Sequence, residues 1–483
     1  MNVRSALLGL CIAAALACPA LAAPKVATDQ GPLSGVSDNG VASYKGIPYV
    51  APPVGALRWQ APQPGPHWQG PRDASAFGPA CPQHATDGLV VRANLPQSED
   101  CLTLNIWAPE ATHGKLPVMV WIHGGGFTQG AASVPRYDGA ALARHGVVLV
   151  SLNYRLGRLG FFAYPGLENV NFGLLDQIAA LQWVKRNIAA FGGDPNNVTL
   201  FGESAGGVAV EALMTSPLAS GLFAKAISES GGLFKTDSLN EAQANAQAFA
   251  AKLGATGPSA LATLRATDAA KIVSDDESGP ILDGRVLTQE VADAFTAGRM
   301  AKIPYIAGSN SDEGSQIGDG ANDWLTQPFG DRLAAVRALY EKDGKLSDVE
   351  FRHQIFNDRF FAGPAANTAA AVAQAGAPAY VYRFGFLTDL ARQRGETAVR
   401  HGGELVFVFG FGPMAAFAPP QDSAMSETMQ AYWTNFAKTG DPNGAGLPVW
   451  PKFQGAAPQT LVIDDKPHTV TDFRKAQFEA VRR

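Results

Sequence analysis

A G-x-S-x-G pentapeptide at residues 202–206 constrains the fold of this chain more than any other feature. It directly follows residues 198–201 (VTLF), an apolar and β-branched run typical of a strand, and it precedes residues 208–214, which can continue as a buried helix. In such a strand–turn–helix, the central residue, here Ser204, exposes its hydroxyl at the end of the strand, and the flanking glycines admit close chain segments. Because the chain contains 52 glycines, the pentapeptide needs support from the rest of the sequence.

Other strand-like runs, each followed by a polar or glycine-rich loop, alternate with helical stretches along the chain. The clearest helix covers residues 174–191, where apolar residues recur at three- and four-residue steps. This alternation predicts an α/β fold with a large, mostly parallel central sheet and helices on both faces. Ligands bind at the carboxyl ends of the strands in such sheets. The predicted strands are residues 117–122, 147–152, 198–201, 224–228, 303–307 and 380–384.

The composition favours one large globular domain over several linked ones. The chain has 483 residues, of which 46% are hydrophobic and 17% charged, enough for a sizeable core. No Pro/Ser/Gly tract, charge block or repeat divides it, so residues 23–483 are predicted to form a single catalytic domain. The net charge is −5 and no long basic patch is present, which argues against a nucleic-acid partner.

The N-terminus has the pattern of a signal peptide over residues 1–22. Arg4 precedes an apolar run at residues 6–17, and Ala20-Leu21-Ala22 places small residues at the positions that suit cleavage. The run is too short for a permanent membrane span, and no later segment looks transmembrane. The sequence therefore predicts an exported protein, periplasmic or extracellular, with no stable membrane anchor.

Four cysteines are present, and two of them, Cys11 and Cys18, lie within the predicted signal peptide. Cys81 and Cys101 remain after its removal. A pair of cysteines in an exported chain favours a disulfide, because oxidising compartments allow such bonds to form and persist.

The hydroxyl of Ser204 needs a base to become a nucleophile, and the base needs an acid to orient it. In a fold of this kind the chain order is serine, then acid, then histidine. Beyond residue 313 the candidates are His353, His401 and His468. His353 lies in a helix-like stretch and His468 in a polar tail segment, whereas His401 opens a loop downstream of a strand. We therefore predict His401 as the base.

Two adjacent residues compete for the role of the orienting acid. Asp312 and Glu313 both follow the strand predicted at residues 303–307, and Gly314 then lets the chain turn. The residues alone do not show which of these two carboxylates orients the histidine.

Backbone amides suited to stabilising an oxyanion are predicted in the glycine run at residues 124–126, which follows the strand at 117–122. The amide of Ala205, next to the nucleophile, completes the predicted set. No zinc-binding or phosphate-loop motif is present in the sequence, which predicts no metal site and no cofactor.

Several motifs occur in order along nearly the whole mature chain. They are residues 44–53 (YKGIPYVAPP), 57–59 (LRW), 98–102 (SEDCL), 153–157 (NYRLG), 191–195 (FGGDP), 202–207 (GESAGG), 440–443 (GDPN) and 450–451 (WP), with Trp433. Together these motifs resemble the type-B carboxylesterases, a family within the α/β-hydrolase superfamily that includes the cholinesterases.

This resemblance implies hydrolysis of small-molecule carboxylic esters through an acyl-enzyme intermediate on an α/β-hydrolase fold. It also assigns roles to individual residues. Those it implies are Ser204, Glu313 and His401 as the triad; Gly125, Gly126 and Ala205 as oxyanion donors; Glu203 and Glu404 as acids that tune the histidine; Ser230 as a buried supporting serine; and a Cys81–Cys101 disulfide.

The chain also departs from the cholinesterases. Residues 82–100 contain no Trp, Tyr or Phe, which argues against the cation–π site that cholinesterases use for choline. A lipase or amidase on the same scaffold is the alternative, because a triad does not choose its leaving group. A non-catalytic adhesion module is the other alternative, although such relatives have lost the nucleophile that is present here. The sequence does not indicate the natural substrate or the oligomeric state.

Overall fold

The structure, a computed structural model, describes residues 23–84, 95–111, 114–232, 236–273, 278–318, 320 and 323–482. The predicted signal peptide, residues 1–22, lies outside the described residues. The strands in the described part are β1 (Lys25–Thr28), β2 (Gly31–Ser34), β3 (Val36–Asp38), β4 (Val41–Pro48), β5 (Arg72–Asp73), β6 (Thr103–Pro109), β7 (Leu116–Ile122), β8 (Val148–Leu152), β9 (Gly193–Glu203), β10 (Lys225–Glu229), β11 (Asp237–Ser238), β12 (Ile281–Leu282), β13 (Tyr305–Asn310), β14 (Ala379–Phe384), β15 (Gln459–Ile463) and β16 (His468–Thr471).

The α-helices lie mainly between these strands. In the described part of the chain they are α1 (Ala140–Arg144), α2 (Gly157–Gly160), α3 (Phe172–Asn187), α4 (Ala205–Thr215), α5 (Leu239–Lys252), α6 (Ala260–Ala266), α7 (Ala269–Ile272), α8 (Val291–Thr296), α9 (Leu333–Tyr340), α10 (Asp348–Asn357), α11 (Gly363–Gln374), α12 (Asp389–Gln393), α13 (Leu405–Val408), α14 (Pro420–Thr439) and α15 (Lys475–Val481).

An 11-stranded sheet organises the molecule, in the order β16-β15-β14-β13-β10-β9-β7-β8-β6-β4-β3. The strands from β15 through β8 run parallel, and antiparallel pairing is confined to the two edges. The predicted large, mostly parallel sheet is therefore confirmed. Crossover helices separate most of the parallel strands, as parallel pairing requires.

Both faces of the sheet are buried. Along β7, Val118, Val120 and Ile122 belong to one apolar cluster, and the intervening Met119 and Trp121 belong to another. Successive side chains of a strand point to opposite faces, so the two clusters lie on the two sides of the sheet. The first cluster includes residues of α3, α4 and α11, and the second includes residues of α13 and α14. Helices thus cover both faces, as the sequence pattern predicts.

The register of three neighbouring strands brings their loops together. Glu203 at the end of β9 pairs with Glu229 at the end of β10, and Glu229 pairs with Gly308 near the end of β13. The turns that follow these strands therefore leave the same edge of the sheet.

Most predicted strands begin and end within three residues of the observed ones, as for the strand predicted at 303–307, which is β13 at Tyr305–Asn310, and two elements differ more. The helix predicted over residues 174–191 is α3 from Phe172 to Asn187, followed by a 3₁₀ turn at Ile188–Phe191 that ends at Gly192 with a φ of 81°. The strand predicted over residues 198–201 lies within the longer β9, which runs from Gly193 to Glu203. Pairing of Gly193 with Leu116 on β7 extends this strand, and such a long-range contact leaves no signal in the local pattern.

The predicted disulfide is present between Cys81 and Cys101, at a sequence separation of 20. It joins the segment before β6 to the long loop after β5. None of the helices in the described part of the chain is both long and apolar enough to cross a membrane.

We expect the double variant Cys81→Ser/Cys101→Ser to unfold at a lower urea concentration, because opening a loop of this size restores entropy to the unfolded chain. The chain-entropy estimate for the loss is about 3 kcal/mol. A reductant should lower the urea midpoint of the wild type in the same way and leave that of the variant unchanged. A variant midpoint equal to that of the oxidised wild type would contradict this expectation.

Candidate active site

Ser204 occupies a strained turn between β9 and α4. Its φ of 56° and ψ of −124° lie in a region that side-chain-bearing residues rarely adopt. Its N–H donates to the carbonyl oxygen of Glu229 at 2.8 Å, which fixes the turn to the end of β10. Ser204 is partly exposed, whereas its neighbours Glu203 and Ala205 are buried. The strand–turn–helix predicted around the pentapeptide is therefore present, with the hydroxyl-bearing residue reaching solvent.

The glycines of the pentapeptide are required by close packing. A Cβ added to Gly206 would lie 2.1 Å from the carbonyl oxygen of Ile122, and one added to Gly202 would lie 2.7 Å from the same atom. Because this oxygen belongs to the backbone of β7, it cannot move aside as a flexible side chain could. The two glycines thus allow the turn to pass directly over the end of the neighbouring strand.

Glu313, and not its neighbour Asp312, faces His401. The distance from Glu313 Oε2 to His401 Nδ1 is 2.5 Å. Glu313 Oε1 accepts hydrogen bonds from Ser230 Oγ and from the backbone N–H of Asn310, both at 2.6 Å. The carboxylate is therefore held by three donors and is fully buried.

Asp312 lies on the other side of the same turn. Its Oδ1 is 3.1 Å from Nδ1 of His353, on α10. The structure thus separates the two acids that the residues alone leave open, and it pairs each with a different histidine.

The other ring nitrogen of His401 lies beside the serine turn. His401 Nε2 is 3.1 Å from Oε1 of Glu203, the residue before Ser204. The ring also packs on Phe361, at 5.4 Å between centroids, within a π-helical turn at Asp358–Ala362. Neither His401 Nε2 nor Ser204 Oγ forms a hydrogen bond to another described residue. The structure thus brings His401 beside the serine turn, and it shows no hydrogen bond between the imidazole and the Ser204 hydroxyl.

Buried carboxylates control the charge of this histidine. Burial lowers the pKa of His401, but Glu203 and Glu313 outweigh it and raise the value to about 9. For Glu313, burial raises the pKa, yet His401 and the hydrogen bonds from Ser230 and Asn310 lower it overall. For Glu203, burial dominates and the pKa is raised, although His401 opposes the shift. The imidazolium is thus strongly favoured between these two acids.

Glu404, predicted to act behind the histidine, is reached through Asn310. The side-chain amide of Asn310 donates to Glu404 Oε2, while its backbone N–H donates to Glu313. Burial and the charge of Glu203 raise the pKa of Glu404 to about 8. Sequence reasoning missed Asn310, because a single Asn at the end of a strand has no distinguishing local signal.

The predicted oxyanion loop lies against the serine turn. A Cβ added to Gly124 would be 3.0 Å from the Cβ of Ser204, so the two segments are in contact. Gly125 and Gly126 have φ values of 108° and 61°. Within the described part of the chain, the amides of Gly125, Gly126 and Ala205 donate to no other group. Unused amides beside the predicted nucleophile are the arrangement that an oxyanion requires.

His123, just before this loop, is a second residue whose position the sequence did not give. Its Nδ1 lies 2.9 Å from the carbonyl oxygen of Gly124, and its ring stacks on Tyr154 at 4.6 Å. Burial lowers the pKa of His123 to about 4, so the ring is neutral near pH 7. Its position beside the glycine run is the only signal that could have marked it as a support for the loop.

Comparisons with known proteins identify the family of this chain. The model of the Carboxylesterase family matches residues 22–328 and 330–481. The chain belongs to the carboxylesterase family. It is 39% identical over 469 residues to the para-nitrobenzyl esterase of Bacillus subtilis (strain 168), covering 91% of this chain and 95% of that protein. It is 38% identical over 467 residues to the fumonisin B1 esterase of Sphingopyxis macrogoltabida, covering 88% and 84% respectively.

A solved PNB esterase structure superposes on this carboxylesterase with a TM-score of 0.83 and 36% identity, covering 95% of this chain and 99% of that chain. The chain therefore has the α/β-hydrolase fold, and it is a carboxylic ester hydrolase of the type-B carboxylesterases. Among the described residues, no group of three or more His, Cys, Asp and Glu side chains is arranged to hold a metal ion.

We expect Glu203→Gln to move the acid limb of the kcat/KM pH profile to lower pH. Only a neutral imidazole can accept a proton, so with His401 as the predicted base the activity should rise as the pH passes through its pKa. Removing the negative charge of Glu203 lowers that pKa, and the limb should move down by about 1 pH unit. The exposed Glu427→Gln serves as the control and should leave the limb in place. An unmoved limb in Glu203→Gln would show that this charge does not act on the base.

Proposed function

We propose that this carboxylesterase is an exported serine hydrolase that cleaves small-molecule esters through an acyl-enzyme, with Ser204, His401 and Glu313 as its triad. The single observation that carries the proposal is the buried Glu313 carboxylate, 2.5 Å from Nδ1 of an imidazole whose other nitrogen faces the serine turn. A hydroxyl, a base and an orienting acid on adjacent turns are the requirements for acyl transfer.

In the first half-reaction, Ser204 Oγ attacks the ester carbonyl while His401 Nε2 takes the hydroxyl proton. The negative charge that develops on the carbonyl oxygen is stabilised by the amides of Gly125, Gly126 and Ala205. The bond to the alcohol then breaks, and His401 returns the proton to the leaving alkoxide. An ester between the acyl group and Ser204 remains.

In the second half-reaction, water replaces the alcohol. His401 takes a proton from the water as it attacks the acyl carbonyl, and the same amides stabilise the second oxyanion. The bond to Ser204 Oγ breaks, the proton passes back to the serine, and the carboxylic acid leaves. Glu313 keeps the imidazole oriented and stabilises its charged form throughout both steps.

Substrate and location also belong to the proposal. The names of the relatives indicate ester substrates as different as para-nitrobenzyl esters and fumonisin B1, so a screen should span small and large alcohols. Export is supported by the leader-like residues 1–22 and by the Cys81–Cys101 disulfide, which is typical of oxidising compartments. Ser204 and the free amides are present, which favours catalysis over an adhesion role.

We expect Ser204→Ala to reduce kcat for a short-chain p-nitrophenyl ester by at least about 10⁴-fold, because no nucleophile remains. Labelling by a fluorophosphonate should disappear with it. Ser216→Ala is the matched control, since Ser216 is a buried serine at the end of α4 and lies outside the site. Circular dichroism would verify that both variants fold. Full turnover in a folded Ser204→Ala would disprove the assignment of the nucleophile.

Exchanging each of the two adjacent acids for its amide would test the identity of the orienting acid. We expect Glu313→Gln to lower kcat by about 10³–10⁴-fold, because the amide no longer stabilises the imidazolium and can select the wrong tautomer. Asp312→Asn should stay within about threefold of the wild type, since Asp312 contacts His353 instead. If Asp312→Asn were the more damaged variant, the assignment of the acid would be wrong.

A further inference from the structure

Glu229 is a buried acid at the centre of the site that the proposed reaction does not use. It ends β10 and is 0% exposed. Its carbonyl oxygen accepts the N–H of Ser204 at 2.8 Å, the bond that fixes the strained turn. It also pairs in register with Glu203 on β9. Its main chain is thus part of the support of the nucleophile.

The side chain of Glu229 is tied to a different layer of the protein. Its Oε1 accepts the indole N–H of Trp433 at 2.9 Å, and Trp433 is a fully buried residue of α14. Its Oε2 has no hydrogen-bond partner among the described residues. No ion pair joins Glu229 to a Lys, Arg or His side chain among the residues that the structure describes. One residue therefore connects the serine turn to the helix that covers one face of the sheet.

The groups that face Glu229 are acidic or neutral. Glu404, from the loop after β14, and Glu203, from β9, act on it electrostatically, and it acts in turn on Tyr382 of β14. Burial, followed by the charge of Glu404, raises the pKa of Glu229 well above its usual range, although the Trp433 hydrogen bond opposes this. An ionised carboxylate here would be buried with the Trp433 N–H as its donor and no cation among the described residues to balance its charge, which is strongly unfavourable.

We propose that Glu229 is a positioning residue of the esterase site, held as a neutral carboxylic acid that ties the Ser204 turn to Trp433 without placing a further negative charge near His401. This inference rests on the proposed function. A third charge beside Glu203 and Glu313 would stabilise the imidazolium further and reduce the fraction of His401 able to act as a base. A neutral acid provides the hydrogen-bond acceptor and avoids that effect.

Two substitutions of Glu229 separate polarity from charge. Glu229→Gln keeps the acceptor for Trp433 and is always neutral, so kcat should stay within about threefold of the wild type and the acid limb of kcat/KM should not move. Glu229→Met has a similar size but no good acceptor, which leaves the buried indole N–H unpaired and loosens the turn. We expect kcat to fall about tenfold or more, with little change in KM, and fluorophosphonate labelling to slow in parallel.

Glu211→Gln provides the matched control. Glu211 is also a fully buried acid, and its Oε1 accepts from Ser228 Oγ and Tyr305 OH. Burial raises its pKa to about 7, but it does not contact Ser204, Trp433 or His401. Its replacement should leave both kcat and the acid limb unchanged.

Each outcome decides the matter. A shift of the acid limb in Glu229→Gln would mean that Glu229 is ionised near His401. A wild-type kcat in a folded Glu229→Met would mean that the hydrogen bond to Trp433 does not position the serine turn. Either result overturns the inference. If Glu229→Met does not fold, Trp433→Phe removes the same hydrogen bond from the other side, and an undiminished kcat there would be equally decisive. Wild-type protein that neither hydrolyses esters nor labels would refute the proposed function instead, independently of Glu229.

Discussion

The strained backbone of Ser204 is the constraint on which the rest of the site depends. A left-handed conformation at a serine persists only where the surroundings over-determine it. Here Gly202 and Gly206 let the turn pass against Ile122, and the carbonyl of Glu229 accepts the turn's N–H. These contacts exist because β7, β9 and β10 are parallel neighbours that end at one edge of the sheet. The register of these strands therefore determines the turn that exposes the Ser204 hydroxyl.

The same edge concentrates buried acids around a single imidazole. Glu203, Glu313 and Glu404 all act electrostatically on His401, and Glu313 alone also hydrogen-bonds to its ring. Glu313 receives three donors and its pKa is lowered, whereas Glu203 and Glu404 have raised pKa values. The three glutamates thus divide into one whose pKa is lowered by His401 and its hydrogen-bond donors and two whose pKa values are raised, mainly by burial. Environment, and not residue type, makes this division.

Sequence reasoning located most of the fold, because its strongest signals are local. The parallel strands are continuous apolar runs, and the loops after them carry glycine or polar residues, so the architecture and the strand of Ser204 were predictable. The exact ends of the strands and helices were less predictable. β9 begins five residues before the predicted run because Gly193 pairs with β7, and α3 gives way to a 3₁₀ turn before Gly192. Pairing partners distant in the chain decide such limits, and a local pattern does not contain them.

The sequence by itself determined the serine turn, the glycine-rich loop, the histidine preferred as the base and the two remaining cysteines, since each has a distinctive local pattern or count. The family resemblance favoured Glu313 over Asp312, but the residues alone left the two open, and only the tertiary structure shows the turn sending Glu313 to His401 and Asp312 to His353. Only the tertiary structure placed Asn310, His123 and Trp433, whose partners lie on other loops and helices. Hydrogen bonds between segments far apart in the chain are set by the folded geometry, and no local sequence rule records them.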